Sequence, residues 1–292
     1  MGSGSAQVPA LGFGCMGLVG WYGTRNDDEA RATLLAAVDA GITHFDTAAS
    51  YQLGENEKFV GSVLAPYRGS LFIATKCGLA RGPDGSAQAD NRPETIRTSC
   101  DASLKRLGTD YIDLFYLHRI DRTVPIEEST GALADLVRAG KIRHAGLSEC
   151  SVSTLQRACG VLPIAAVQSE YSIWSRDPEQ GMLAACEQLG VTFVAYSPLG
   201  RGFLAANFSS ATDLPEGDHR RSHPRFQPEA AGANAVLVET LRQIAASLGA
   251  TPAQVAIAWV LARSTRVVTI PGMKTRAHLA DNLQGARLRL SP

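Results

Sequence analysis

One feature constrains the fold of this chain more than any single motif. Short apolar runs alternate with amphipathic stretches of helical period, and they do so eight times over. The runs of strand length fall at 8–14, 43–46, 71–76, 112–117, 143–148, 164–169, 191–196 and 267–271. The helical stretches carry their own punctuation. Asn26 and Asp27 open the first, where Ala30, Leu34, Leu35 and Val38 share one face and Gly41 closes it. Pro93 and Pro125 occupy first-turn positions, and their helices close at Gly108 and Gly140. Further helices are expected over 151–160, 181–190, 234–249, 251–263 and 275–284. A β-α unit repeated eight times, with no antiparallel hairpin run inside it, predicts a (β/α)8 barrel forming a single domain over 1–292.

In such a barrel the site is built from the links that follow the strands, and here several are long: 47–54, 77–92 and 197–233. The last carries HRRSHPRFQP (219–228) and reads as a functional lid rather than a linker, since no second domain follows it.

Composition removes several classes of function. Lys plus Arg and Asp plus Glu number 28 each, so no net field favours nucleic acid or an anionic membrane. No apolar run approaches the ~20 residues that span a bilayer. Residues 1–6 lack the basic and apolar parts of a signal peptide, and read as a tag remnant or a disordered lead. The six cysteines (15, 77, 100, 150, 159 and 186) form no CxxC or Cys/His cluster, so they read as buried thiols of a cytoplasmic protein with no metal site.

Gly12-Phe-Gly-Cys-Met-Gly17 matches GxGxxG. A dinucleotide fold needs a helix at once after the third glycine. Here Gly20 and Gly23 follow within six residues, which suits a loop. The stretch is therefore expected to be the first barrel strand and its link.

Four polar residues fall at or just beyond three successive strand ends. GITHFDTAASY (41–51) ends a strand on Asp46 and sets Tyr51 in the following link. LFIATK (71–76) ends on Lys76, and IDLFYLH (112–118) on His118. Neighbouring strands lie side by side around a barrel, so these side chains are expected to converge. Together they suit carbonyl reduction. Hydride arriving at a carbonyl carbon leaves an alkoxide that must be protonated and stabilised. Tyr51 could give that proton, Lys76 could pull down a phenol pKa ordinarily near 10, and Asp46 could hold the lysine. His118 could orient the carbonyl oxygen.

These segments resemble the aldo-keto reductase family, from about Leu11 to Asn282. FDTAASY, IATKCG, SLKRLGTDYIDLFYLHRID (103–121), YSPLGRGFL (196–204) and IPGMKTRAHLADNL (270–283) carry the likeness. The resemblance implies hydride transfer from NADPH to a small aldehyde or ketone, without a metal. By the same resemblance Ser148 and Gln168 would meet the nicotinamide carboxamide, and Tyr196 would stack on its ring. Ser197, Leu199 and Arg201 would cover the pyrophosphate. Ile270, Gly272, Lys274, His278, Asp281 and Asn282 would hold the adenine and ribose-phosphate end. Arg276 stands with Lys274 at the start of the last helix, where two cations suit a phosphate.

The chain departs from the family pattern at Glu149, where many members have Asn, and at His278, where many have Arg or Gln. HPRFQPE (223–229) resembles a branch with a long link after the seventh strand. Trp21, Tyr22, Trp174 and Phe226 are candidate walls for the substrate, with packing beneath the links as the alternative for the tryptophans. Two other functions share these residues: a redox-sensing regulatory subunit on the same scaffold, and a Schiff-base enzyme using Lys76. The sequence fixes neither the physiological substrate nor the oligomeric state.

Overall fold

The computed structural model describes residues 7–81, 86–206 and 210–291. The reading of residues 1–6 falls outside them, as does part of the long link after the seventh strand. Eight parallel strands run in sequential order: β1 (Phe13–Gly14), β2 (His44–Asp46), β3 (Phe72–Cys77), β4 (Ile112–Leu117), β5 (Ile142–Ser148), β6 (Ile164–Glu170), β7 (Thr192–Tyr196) and β8 (Val267–Ile270). Bridges between Leu11 and Thr269 and between Gly14 and Gly272 close the ring. The expected (β/α)8 barrel is therefore the fold.

The helices alternate with the strands: α1 (Asp27–Asp39), α2 (Glu55–Leu64), α3 (Pro93–Leu107), α4 (Ile126–Arg138), α5 (Val152–Cys159), α6 (Met182–Leu189), α7 (Pro228–Ser247), α8 (Pro252–Leu261) and α9 (Arg276–Arg287). Their ends follow the sequence signals. Asn26, Ser151, Thr251 and Thr275 each accept a backbone N–H at a helix start. Gly108 caps α3 in the left-handed region.

Side chains two apart along each strand face the lumen, as the period of a strand requires. Phe72, Ala74, Leu114, Tyr116, Ala166, Val194, Val268 and Ile270 cluster there, and the alternate set, with Phe45, Ile73, Phe115, Leu147 and Phe193, packs under the helices. The same parity brings Asp46, Lys76, Gln168 and Tyr196 to the C-terminal mouth. The register aligns them, with Asp46 beside Ala74, Lys76 beside Tyr116, and Ser148 beside Gln168.

The structure differs from expectation in four places, the first being α2 (Glu55–Leu64), a helix that no start or stop signal marks. The ladder of β1 is confined to Phe13–Gly14, because Gly12 and Gly14 serve close approach instead. A Cβ on Gly12 would lie 2.7 Å from His44 Nδ1, and one on Gly14 would lie 2.5 Å from the Ile270 carbonyl oxygen. These glycines seal the barrel, which explains the misleading GxG match. Next, the link after β3 does contain an antiparallel pair, Leu79–Arg81 with Ala87–Ala89. Strands of three residues leave too little alternation to detect. Finally, α7 begins at Pro228, six residues before the expected start at Asn234, because the extended Gln227 hands the chain to a first-turn proline.

Among the described residues, no single helix is long and apolar enough to cross a membrane. None of their His, Cys, Asp and Glu side chains group as a metal site would require, and the six cysteines are free thiols.

Candidate active site

A cleft of about 1350 Å³ opens at the C-terminal mouth of the barrel. That exceeds the few hundred to ~1,000 Å³ typical of a site for one small ligand. Asp46, Tyr51 and His118 line it, with Lys76 directly beneath.

Lys76 is 1% exposed and Asp46 2%, so both charges are held away from water. The Lys76 ammonium donates to Asp46 Oδ1, to the Thr47 carbonyl oxygen at 2.9 Å and to the Tyr51 hydroxyl at 3.5 Å. Three acceptors use the three protons it carries. Burial works against this cation, but Asp46 and Tyr51 outweigh it and leave its pKa above that of an ordinary lysine. The second oxygen of Asp46 accepts from Gln168 Nε2 at 2.8 Å.

Burial pushes the Tyr51 phenol above its ordinary value, and the charge of Lys76 pulls it only part of the way back. The effect expected of the ammonium is thus present as a counterweight to desolvation, and the net shift is upward. His118 meets the Tyr51 ring edge to face, with centroids 5.9 Å apart, and its Nδ1 lies 3.2 Å from Ser50 Oγ. Burial, aided by the charges of Lys76 and Arg119, holds its imidazole well below the usual range, so it is neutral near pH 7.

Ser148, Tyr196, Ser197, Leu199 and Arg201 line the neighbouring part of the cleft. The Glu170 carboxylate grips Arg201 at 2.8 and 2.9 Å and Arg225 at 2.7 Å, which ties the link after β7 to the end of β6. Arg201 keeps a backbone φ of 58°, a conformation that costs a non-glycine residue energy and so needs such an anchor. Glu149, also left-handed at φ 53°, turns away from the cleft. Its carboxylate accepts from the Glu170 N–H at 2.9 Å, and its charge, after burial, helps hold the Tyr196 phenol above its ordinary pKa. That explains how a carboxylate is accommodated next to Ser148.

At the far end stand Ile270, Gly272, Lys274, His278, Asp281 and Asn282. Lys274 donates to the Tyr22 carbonyl oxygen and has no carboxylate partner among the described residues. The buried Asn282 Nδ2 likewise has no partner among them, a donor that an adenine nitrogen would satisfy. With the flat face of Tyr196 at one end, Lys274 for a phosphate and Asn282 for a base at the other, the donor set fits a phosphorylated dinucleotide. Asp281 is engaged by Gln254 Nε2 at 2.7 Å and by the Thr251 hydroxyl.

Arg276 does not join this set. It lies outside the cleft, well exposed, in an ion pair with Glu29 at 2.9 Å. Facing α1 rather than the mouth, it serves the helix start. Trp174 and Phe226 are also displaced from the role expected of them. They stack with Phe203 in a small apolar core that joins the links after β6 and β7, with centroids 4.7 to 6.0 Å apart, and neither lines the cleft. Trp21 and Tyr22 do line it. Trp21 stacks on His219 at 4.5 Å, and Arg220 lies over Tyr22 at 4.9 Å, so the long link touches the β1 side of the mouth.

Sequence reasoning missed Ser50, Arg119, Glu170 and Arg220. The first three adjoin or nearly adjoin residues already singled out, so proximity in the chain was the available signal. Arg220 sits in a long link with no periodic pattern and offered none.

The model of the Aldo/keto reductase family matches residues 10–292. The chain is 43% identical to an NADP(+) aldo-keto reductase of Schizosaccharomyces pombe, over 99% of its own length and 86% of that protein. It is 41% identical to a probable aldo-keto reductase of Glycine max, over 100% of this chain and 84% of the other. Its fold superposes on that of the glycerol dehydrogenase from Gluconobacter oxydans with a TM-score of 0.89 at 28% identity, covering 100% of this chain and 90% of that one. A match across nearly the whole sequence, joined to the barrel and the polar group at its mouth, leads to one conclusion: the chain belongs to the aldo/keto reductase family.

Proposed function

We propose that this protein is an NADPH-dependent oxidoreductase that reduces a small aldehyde or ketone to the alcohol, with Tyr51 as the general acid. The observation that carries the reading is the buried Lys76, bonded at once to Asp46 and Tyr51. A cation held there costs desolvation, which its bond to Asp46 offsets, and it is aimed at a hydroxyl on the cleft wall.

NADPH, when bound, supplies the hydride. The work of the chain is to place the carbonyl and manage the proton. Tyr196, at the end of β7, offers the ring a flat support on the cleft wall. The neutral His118 donates toward the carbonyl oxygen and orients it. Tyr51 Oη gives up its proton as negative charge grows on that oxygen, and Lys76 stabilises the phenolate that remains. Loss of that proton is difficult in the free enzyme, because burial raises the phenol. It becomes favourable when an alkoxide, a far stronger base, forms beside it.

Tyr51→Phe tests the assignment. It removes the transferable proton and little else, so reduction of a generic aldehyde should fall by about two to four orders of magnitude. NADP+ affinity should stay near that of the wild type. Nearly full activity in Tyr51→Phe would exclude tyrosine as the acid.

A further inference from the structure

A nicotinamide ring resting on Tyr196 must also be fixed against rotation, and its carboxamide is the handle. That group presents one acceptor oxygen and one donor nitrogen, so it needs at least one donor from the protein. The ends of β4, β5 and β6 bring Arg119, Ser148 and Gln168 to the cleft. One N–H of the Gln168 amide is committed to Asp46. Glu149 faces a smaller cavity of about 470 Å³ behind Tyr196, and as a carboxylate it only accepts. The Ser148 hydroxyl can give or accept one bond there, and the carboxamide oxygen, with two lone pairs, has room for a further, charged donor.

Arg119 lines both the cleft and the smaller cavity, partly buried, with Nη1 2.6 Å from the His118 carbonyl oxygen and 3.4 Å from Ser148 Oγ. Those contacts anchor one edge of the guanidinium. Among the described residues Nε and Nη2 meet no acceptor, and no carboxylate lies within ion-pair distance. The other arginines of the cleft are all spent: Arg106 on Glu57, Arg201 on Glu170 and Arg220 on Asp218. A guanidinium positioned by two contacts, with donors left over in a cleft where its peers are paired, is the one available to a ligand acceptor.

We propose that Arg119 donates to the carboxamide oxygen of the nicotinamide and so sets the orientation in which the ring meets Tyr51. This rests on the reading above that the ring lies between Tyr196 and Tyr51. A charge-assisted hydrogen bond of this kind changes affinity by about tenfold or more when its donor is removed.

The test compares NADP+ with adenosine 2′,5′-bisphosphate, which lacks the nicotinamide, by titration calorimetry on wild type, Arg119→Met and Arg119→Lys. Arg119→Met should bind NADP+ about tenfold more weakly and the bisphosphate unchanged, with partial recovery in Arg119→Lys. The thionicotinamide analogue of NADP+, whose sulfur accepts poorly, should bind wild type more weakly than NADP+ does. Arg119→Met should not distinguish the two. Equal losses for NADP+ and the bisphosphate would make Arg119 a prop for the strand ends and overturn the proposal. Unchanged NADP+ binding, with the loss confined to carbonyl substrates bearing a carboxylate, would assign the guanidinium to substrate instead. If wild type itself binds NADP+ no more tightly than the bisphosphate, the placement of the ring fails, and the proposal fails with it. Arg119→Lys keeps the comparison available should Arg119→Met not fold.

Discussion

Gln168 donates its side-chain amide to Asp46 at 2.8 Å, on the carboxylate oxygen that Lys76 does not use. Asp46 is therefore held from two strands, and removing either donor leaves a buried acceptor short of partners. Lys76→Met is the severe case, because it strips the charge as well as a donor. Such a break costs about 3–5 kcal/mol. Asp46→Asn combined with Lys76→Met leaves no unpaired charge, so the double variant should be more stable than Lys76→Met alone although both lack reductase activity. Denaturant melts of the three proteins decide it. A double variant that is the less stable would mean that the pair itself, rather than its mismatch, sustains the barrel mouth.

His44 makes a stability prediction with a sign. It is fully buried in the lumen against Phe72, both ring nitrogens lack partners among the described residues, and burial pulls its pKa down to about 4. An unfolded histidine titrates near 6.5. The folded-state value is the lower one, so this contribution is fully present above pH 6.5 and is lost as pH falls from there toward 4. Over that window it amounts to about 3 kcal/mol. The loss of stability between pH 7 and 4 should be smaller in His44→Leu than in wild type. Parallel curves for the two proteins would refute it.

The two cations at the start of α9 should behave differently. Lys274 lines the cleft without a carboxylate, whereas Arg276 is paired with Glu29 outside it. Lys274→Ala should weaken NADPH binding by about 1.5–3 kcal/mol and leave NADH binding nearly unchanged. Arg276→Ala should alter neither. Fluorescence titration with both cofactors checks this. A loss of NADPH selectivity in Arg276→Ala would require that helix start to rearrange on binding.

The aromatic residues should divide the same way. Phe226 is fully buried in the small core that joins the links after β6 and β7, so Phe226→Ala should destabilise that region by about 3–5 kcal/mol. Trp21 lines the cleft, and Trp21→Ala should change KM across a carbonyl panel with little change in Tm. Substrate profiles and thermal melts of both variants separate the roles. A Trp21→Ala variant that melts early with an unaltered substrate profile would make Trp21 a packing residue.

The barrel was legible because its signal is repeated: eight apolar runs, eight helical faces, and caps such as Asn26 and Thr275 at the expected turns. Asp46, Lys76 and His118 were legible for a related reason, since a polar residue ending an apolar strand has few places to point. What stayed hidden depends on orientation. Trp174 and Arg276 carry the chemistry of ligand contacts, and only the packing of Phe203 and the position of Glu29 turn them elsewhere. The antiparallel pair after β3 is too short for periodicity to register. The upward shift of Tyr51 escaped because a sequence shows which charge is nearby, while burial, the larger influence, belongs to the assembled mouth.

The small core of Trp174, Phe203 and Phe226 has a further consequence. Because one of those rings, Trp174, belongs to the link after β6, the core fastens the segment after β7 to its neighbour, and Glu170 adds a polar tie through Arg201 and Arg225. The side of that segment turned to the cleft, at His219 and Arg220, is thereby backed from behind, and a substrate meeting it would meet a fixed wall rather than a loose loop.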